Sequence, residues 1–560
     1  MSTFNELIDF TRSTTGTYLD SVVYGDELVT NGTFDSDTGW TKGTGWTISG
    51  GTAVASNVQS GVKIESTSFT VTAGYYTISL DVTTSYSSYY FGIQGVTVAA
   101  TGQKSTQGTV SITTYLNAGS HTAFIGAWSS GLSGTFDNVS VKEVIGGQVS
   151  AGTPLLRTAA INEPRLEYDA SGNPLGLLIE EGRTNVLLHS EDFTNANWGK
   201  TNLTATANAA TAPDNTQTAD KLQLNSTTAG VYMVQDNSTS SSGYKTVTVY
   251  AKDNNAGYVI LRVGDQPSSA DRYLVLVDLS NGHVVDTAIS GNPLNVSHTV
   301  TPVGNNWYRV SVTANLNESG IRVAITPYCV SSITHTDGTP ENAGGAVGNS
   351  VYIWGAQLEQ GAFPTSYIPT SGSTVTRGAD FASLPVERFA YNQAQGSLVF
   401  YSKLFAEDNT SQFIYALSAE AGNSNNTIRL YDSGTDNRLI SNIRTNAANV
   451  ATFNIDSTAF DSPFKVFQSY KVNDFSAGID GAVSGVDTGG AVPVNIKQLN
   501  FFSAQDSGSV ASGHIKSIQY YPKRLSNEEL QLLTQPSASP TMNLTFDGQA
   551  TSTLVEGFHD

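Results

Sequence analysis

Polar and apolar residues alternate with period two along most of the chain, in short runs broken by Gly, Asn, Ser and Asp. Tyr75-Tyr-Thr-Ile-Ser-Leu-Asp-Val82 alternates in this way, and so does Lys245-Thr-Val-Thr-Val-Tyr-Ala-Lys252. Further runs are Tyr258–Val263, Tyr273–Asp278, Trp307–Val312 and Ile321–Ile325. The period is that of a half-buried strand, and the breakers are turn residues, so antiparallel β-sandwiches are predicted near 27–145 and 186–370. A third block, 380–535, carries Ser397–Ser402, Gln412–Leu417, Lys465–Lys471 and Ile515–Tyr521, with Asp480-Gly481 as a hairpin turn. It reads as a jelly-roll-type sandwich. Ser526 and Glu529 form a capping box that opens one short helix. The fold class predicted is all-β: multidomain β-sandwiches with short connectors.

Two segments share their ends. Phe34 precedes Trp40, and Phe193 precedes Trp198, in each case across polar turn residues. The closing strands, Phe136–Val144 and Val351–Glu359, also alternate. Recurrence in two copies suits packing, so Phe34, Trp40, Phe193, Trp198 and the closing-strand Trp354 are assigned to cores. Residues 1–26 hold Phe4, Leu7, Ile8 and Phe10 on one apolar stripe, too short a segment to bury it alone, and are expected to anchor the chain to a partner. Residues 146–185 read as a connector and 536–560 as an exposed tail.

Composition narrows the function. Only 14% of the 560 residues are charged, against about 25% in an average chain, while Tyr (25) and Phe (23) are plentiful. Long helices usually carry charged surfaces, so this palette favours strands. The net charge is −20. Phosphate backbones and anionic membrane surfaces would be repelled, so neither nucleic acid nor membrane insertion is expected. The first 25 residues lack a basic stretch followed by an apolar run, so no secretory signal is read there. A single cysteine, Cys329, excludes an internal disulfide and reads as a small buried hydrophobe.

No nucleophile elbow, zincin motif or phosphate loop occurs, and the seven histidines are scattered. A glycosidase needs only two carboxylates across a bound sugar. Glu180 and Glu181 beside Arg183 are candidates, with structural ion pairing as the favoured reading. Sugars present flat C–H faces that stack on aromatic rings, and Tyr and Trp also supply a polar tip. Tyr86, Tyr89 and Tyr90, in a Ser/Tyr cluster, and Trp46, in a glycine-rich turn, are therefore the carbohydrate-binding candidates. The alternative is that they pack inside a sandwich. Asp432, Asp436 and Asn437 crowd one loop and would suit Ca²⁺, although an Asp/Asn-rich turn is the commoner reading of such a cluster. No other cofactor is expected.

Phe10-Thr-Arg-Ser-Thr-Thr-Gly-Thr-Tyr-Leu-Asp20, Asn162-Glu-Pro-Arg-Leu-Glu-Tyr-Asp169 and Gly176-Leu-Leu-Ile-Glu-Glu-Gly-Arg-Thr-Asn-Val186 together resemble segments of bacteriophage tail-fibre, spike and head-fibre-like virion proteins. In that family the first two segments lie close together, so 27–145 resembles an insertion between them. Segment 186–370, with Trp354-Gly-Ala-Gln-Leu-Glu and Thr365-Ser-Tyr-Ile-Pro-Thr, is similar to the family's carbohydrate-binding-module-like domain. The 380–535 block, through Ile518-Gln-Tyr-Tyr-Pro-Lys-Arg-Leu-Ser-Asn-Glu-Glu-Leu, resembles a concanavalin A-like or laminin-G-like lectin domain. The resemblance implies two carbohydrate-binding-like sandwiches and one lectin-like jelly roll on the virion surface. It implies a homotrimer that contacts other virion proteins and binds host cell-surface polysaccharide without cleaving it. A virion-associated polysaccharide hydrolase and a purely structural decoration are the alternatives.

Overall fold

The computed structural model describes residues 8–20, 23–86, 88–105, 107–145, 155–169, 173–227, 230–237, 242–266, 271–317, 320–333, 343–405, 412–418, 425–434, 438–456, 462–502, 511–536 and 544–546. Among them the architecture is all-β, with paired antiparallel sheets and one α-helix, Asn527–Thr534. The helix opens on the capping box, with Ser526 and Glu529 each accepting the other's backbone N–H. No described helix is long and apolar enough to cross a membrane. The chain forms two compact units, one of Met1–Ser21 with Thr153–Val555 and one that includes Val22–Gly152.

The Val22–Gly152 unit is one β-sandwich. One sheet holds Tyr89–Gly95, Gly119–Ala127, Lys63–Ser66 and Trp40–Lys42; the other holds Gly108–Leu116, Gly74–Tyr86, Leu132–Ile145, Thr52–Val58 and Trp46–Ser49. Among the described residues, its buried core runs from Val29 to Val141, with Leu28 packed against it.

The larger unit contains two sandwiches. The first pairs two six-stranded sheets around a core from Leu187 to Leu358. The Phe–Trp repeat is a packing device in both the first and the second sandwich. Phe34 and Trp40 have ring centroids 4.8 Å apart, and Phe193 and Trp198 have centroids 5.2 Å apart. Trp40 Nε1 donates to the Asn31 carbonyl at 2.9 Å and Trp198 Nε1 to that of His189 at 3.0 Å, each spanning nine residues. Trp354 is buried against Tyr250 and Tyr367. Cys329 is half-buried rather than enclosed, and what burial it has raises its thiol pKa.

The C-terminal sandwich packs a seven-stranded sheet on an eight-stranded one and recruits distant chain. Strand Asp9–Thr11 pairs with Phe381–Pro385, and strands Arg165–Tyr168 and Pro174–Ile179 extend the opposite sheet through Gly513–Tyr521. Three sequence expectations change as a result. Ile8 and Phe10 are not an exposed anchoring stripe; they are 4% and 9% exposed and belong to this core, because strand pairing points both inward. Phe4 and Leu7 lie outside the described residues. The 146–185 connector supplies two sheet strands, with Leu177 and Ile179 in the core. In the supposed tail, Leu544–Phe546 pairs in parallel with Gly513–Tyr521.

Strands Gly16–Asp20 and Leu155–Ala159 form an antiparallel ribbon that sets Asp20 opposite Leu155. Leu19 and Leu156 anchor this ribbon in a cluster with Tyr250, Trp307, Trp354 and Tyr367. Both ends of the intervening chain are thus fixed by contacts inside the larger unit, and ends held that close make an insertion separable. Replacing residues 21–154 by Asn-Gly, a two-residue turn suited to such a ribbon, is expected to leave a cooperative thermal transition. Its Tm should move by only a few degrees, a change of at most about 2 kcal/mol. Calorimetry checks this; loss of the transition would show that the larger unit depends on the sandwich it carries.

Candidate functional site

The outer face of the first sandwich presents a cluster of aromatic and polar groups. Tyr89–Gly95 pairs with Gly119–Ala127, which pairs in turn with Lys63–Ser66. Alternation along these strands sends Tyr89, Phe91, Ile93, Ala123 and Ile125 into the core. It leaves Tyr90, Gln94, Phe124, Lys63 and Glu65 on the other face. Tyr90 lies opposite Gly126, and its ring covers that glycine so closely that a Cβ there would come within 2.6 Å of it. The missing side chain lets the tyrosine lie down on the sheet.

Beyond Gly126 the strand ends, and Trp128 is 47% exposed. Its backbone N–H donates to the Ser88 carbonyl at 3.0 Å, and its indole meets Tyr90 edge-on, with centroids 5.8 Å apart. Tyr90 in turn meets Phe124 at 5.3 Å. Lys63 Nζ sits 4.0 Å above the Phe124 ring and donates to Gln94 Oε1 at 2.8 Å, while Gln94 Nε2 donates to Glu65 Oε1 at 2.7 Å. Burial, and then the nearby Glu65 carboxylate, raises the Tyr90 phenol pKa, so it stays a neutral donor. Ser60, Ser88 and Gln103 edge the tryptophan, with Ser60 Oγ on the Trp128 carbonyl at 2.8 Å and Gln103 Nε2 on Ser88 Oγ at 2.6 Å. An exposed indole beside a tyrosine, bordered by amide, hydroxyl, amine and carboxylate groups, can stack on a sugar face and bond its hydroxyls.

The sequence candidates divide. Tyr90 belongs to this face. Tyr89, one residue away on the same strand, is fully buried against Phe136, so its expected sugar contact is corrected to a core role. Trp46 is corrected likewise. It is 4% exposed, packed 5.5 Å from Phe136, because its strand turns the indole inward. Tyr86 ends a strand of the other sheet, and its side chain lies outside the described residues. Trp128 was missed. Its sequence signal is a tryptophan in a Ser/Gly turn directly after an alternating strand, Gly119–Ala127.

Asp432 is buried, and its carboxylate accepts the Gly434 and Gln412 backbone N–H groups at 2.6 and 3.2 Å. Asp436 and Asn437 lie outside the described residues. Among the described residues no group of three His, Cys, Asp or Glu side chains is placed to hold a metal ion.

The carboxylates considered for hydrolysis sit in a buried ionic node of the larger unit. Arg165 Nη1 donates to Glu180 Oε2 at 2.7 Å and to the Thr17 carbonyl at 3.1 Å, and Arg165 also pairs with Asp380. Arg12 Nη1 reaches Asp380 Oδ1 at 3.2 Å, and Arg377 lies 3.5 Å from Glu180. Ser366 donates to Glu180 through its N–H at 2.8 Å and its hydroxyl at 2.7 Å. Glu181 pairs with Arg183, whose guanidinium stacks 4.8 Å over Phe363. These are structural ion pairs.

Burial alone would raise the pKa of Glu180, but Arg377 and Arg165 outweigh it and hold the group at about 2, against an ordinary 4.5. The unfolded chain therefore takes up a proton that the folded chain refuses. The resulting stabilisation, roughly 3 kcal/mol, is complete above pH 4.5 and disappears as pH falls through about 2. The Tm of the larger unit is expected to fall across that window, and Glu180→Gln, already destabilised at neutral pH by about 3–5 kcal/mol, should lose that part of the slope. Calorimetry at stepped pH decides, and an unchanged slope in the variant would remove Glu180 from the account.

The fold and this site together define an all-β protein of three sandwiches, one of them bearing an exposed aromatic–polar face. No family model matches the chain, and no curated protein matches it. Solved structures resemble parts of it. The carbohydrate-binding module CBM40 of Ruminococcus gnavus IT-sialidase aligns at 17% identity over 26% of this chain and 84% of that one, with a TM-score of 0.22. The CBM22-1-CBM22-2 tandem of Paenibacillus barcinonensis Xyn10C aligns at 11% identity over 61% and 99%, with a TM-score of 0.20. Mouse laminin alpha1 domains LG4-5 align at 11% identity over 53% and 86%, with a TM-score of 0.19. At these scores none of them adds to what the geometry carries.

Proposed function

We propose that this chain is a virion fibre or spike protein that holds host cell-surface polysaccharide without cleaving it. The observation that carries glycan binding is Trp128, exposed beside Tyr90 on a face edged by Lys63, Gln94 and Glu65. The virion assignment rests on the resemblance of the segments around Arg12, Arg165 and Glu180. The non-catalytic reading is supported by the engagement of Glu180 and Glu181 in ion pairs. A homotrimer would present three copies of the face, making weak contacts effective through linkage.

Trp128→Ala in the full-length protein is expected to weaken retention on immobilised bacterial surface polysaccharides at least tenfold, the loss of about 1.4 kcal/mol. The exposed position should leave Tm unchanged. Retention equal to wild type would refute the site. Release of reducing sugar from the same polysaccharides would refute the non-catalytic reading, and a concentration-independent monomer in light scattering would refute the trimer.

A further inference from the structure

Two ionisable groups of the second sandwich lie inside it. Strand Gly243–Asp253 sends Val247, Val249 and Ala251 into the core, and the same alternation turns Lys245 inward, where it is 1% exposed. Strand register sets Lys245 directly opposite Gln360, the last residue of the closing strand Ser350–Gln360, whose Ala356 and Leu358 belong to the same core. On the other sheet, strand Tyr258–Gln266 turns Val259, Leu261 and Val263 inward, and Asp265 follows them at 2% exposed. The turn at 254–257 joins these two strands, so positions about equally far from it, such as Lys245 and Asp265, come level. An amine, an amide and a carboxylate thus meet at one end of the space between the sheets.

Lys245 Nζ donates to Gln360 Oε1. A carbonyl carbon lies about 1.2 Å behind its oxygen, so Cδ stands within about 4 Å of Nζ, near the distance from which an amine attacks. The other end of the amide, Nε2, donates to the Ser242 carbonyl at 3.4 Å, which presents the oxygen side to the lysine. A Cβ at Gly243, where φ is +113°, would press within 3.1 Å of Nε2, so the glycine gives the amide its room. The backbone beneath is held as well: Thr246 Oγ1 donates to the Gly361 carbonyl at 2.8 Å, and Arg183 donates to that of Gln360. Burial lowers the Lys245 pKa to about 8, with Asp265 opposing the shift, so a sizeable share of the amine is neutral and nucleophilic near neutral pH.

We propose that the folded protein joins Lys245 to Gln360 by an amide bond, clamping the closing strand to its neighbour. Nζ attacks Cδ and forms the new C–N bond, the Cδ–Nε2 bond breaks, and the amide nitrogen leaves as ammonia. One proton passes from Nζ to the departing nitrogen, with the Asp265 carboxylate as its carrier. Nothing is oxidised or reduced, and no co-reactant is needed. Gln360 is exposed, so the ammonia escapes to solvent. Peeling the closing strand from the sheet would then require breaking a covalent bond.

Peptide mapping of the full-length wild-type protein by mass spectrometry is the test. The expected product is a branched peptide containing Lys245 and Gln360, lighter by one ammonia than its two parts. Trypsin should leave the chain uncut after Lys245, and acetylation of the denatured protein should miss that side chain. Lys245→Arg, which keeps the charge, should return two linear peptides. Asp265→Asn is expected to raise the unjoined share about tenfold, as loss of a proton carrier does. A wild-type map in which Lys245 is cut and acetylated like the other lysines overturns the proposal, whether or not the variants fold. A branched peptide undiminished in Asp265→Asn overturns Asp265 as the carrier. Neither result bears on the Trp128 site.

Discussion

Arg165 is fully enclosed by protein, and a guanidinium in that position must be matched by carboxylates and carbonyls or pay heavily in lost hydration. Glu180, Asp380, Thr17 and Ser366 supply the match, and Arg12 and Arg377 close the charge pattern around the two acids. Those residues come from the N-terminal strand, from the segment after the inserted sandwich, and from the segment that leads from the second sandwich into the third. The node therefore dictates where these three separated segments of chain must meet. Burial pushes the Arg12 guanidinium pKa down, with repulsion from Arg165 adding to it, which shows how densely the charges are set.

This node gives a physical reason for the motifs that mark the chain. Phe10-Thr-Arg12 contributes a core ring and a node cation, and Pro164-Arg165 contributes the central guanidinium. In Thr365-Ser366, Thr365 donates to Glu359 and Ser366 to Glu180. Asn185 stitches the same region, its amide donating to the Ala356 and Ile368 carbonyls at 3.1 and 2.8 Å. Each motif residue satisfies a buried partner, so the segments work as one interlocked junction. An insertion between Asp20 and Leu155 leaves all of these bonds in place.

The outward faces are built by a different rule. A strand has two sides, and the sheet packed against it within each sandwich fixes which side faces out. In the first sandwich that choice places Tyr90 over Gly126 and leaves Trp128 exposed at the strand end. In the second the same choice turns Lys245 and Asp265 inward.

Local pattern was enough to read the all-β class, the strands, the capping box at Ser526 and the packing role of the Phe–Trp repeat. Each depends on neighbours within a few residues: period-two alternation, turn chemistry, or an indole reaching a carbonyl nine residues back. The ion pairing of Arg183 with Glu181 was equally legible, two residues apart. What the chain alone did not decide was the direction of each face and the membership of each sheet. Adjacent tyrosines at 89 and 90 look alike in sequence, yet they point to opposite sides, and only the partner sheet determines which side is core. Ile8 and Phe10 look like a lone apolar stripe until Phe381–Pro385 pairs with their strand. The pairing of Lys245 with Gln360 has no sequence signature at all, because β-pairing joins residues far apart in the chain, and that register exists only once the tertiary structure has formed.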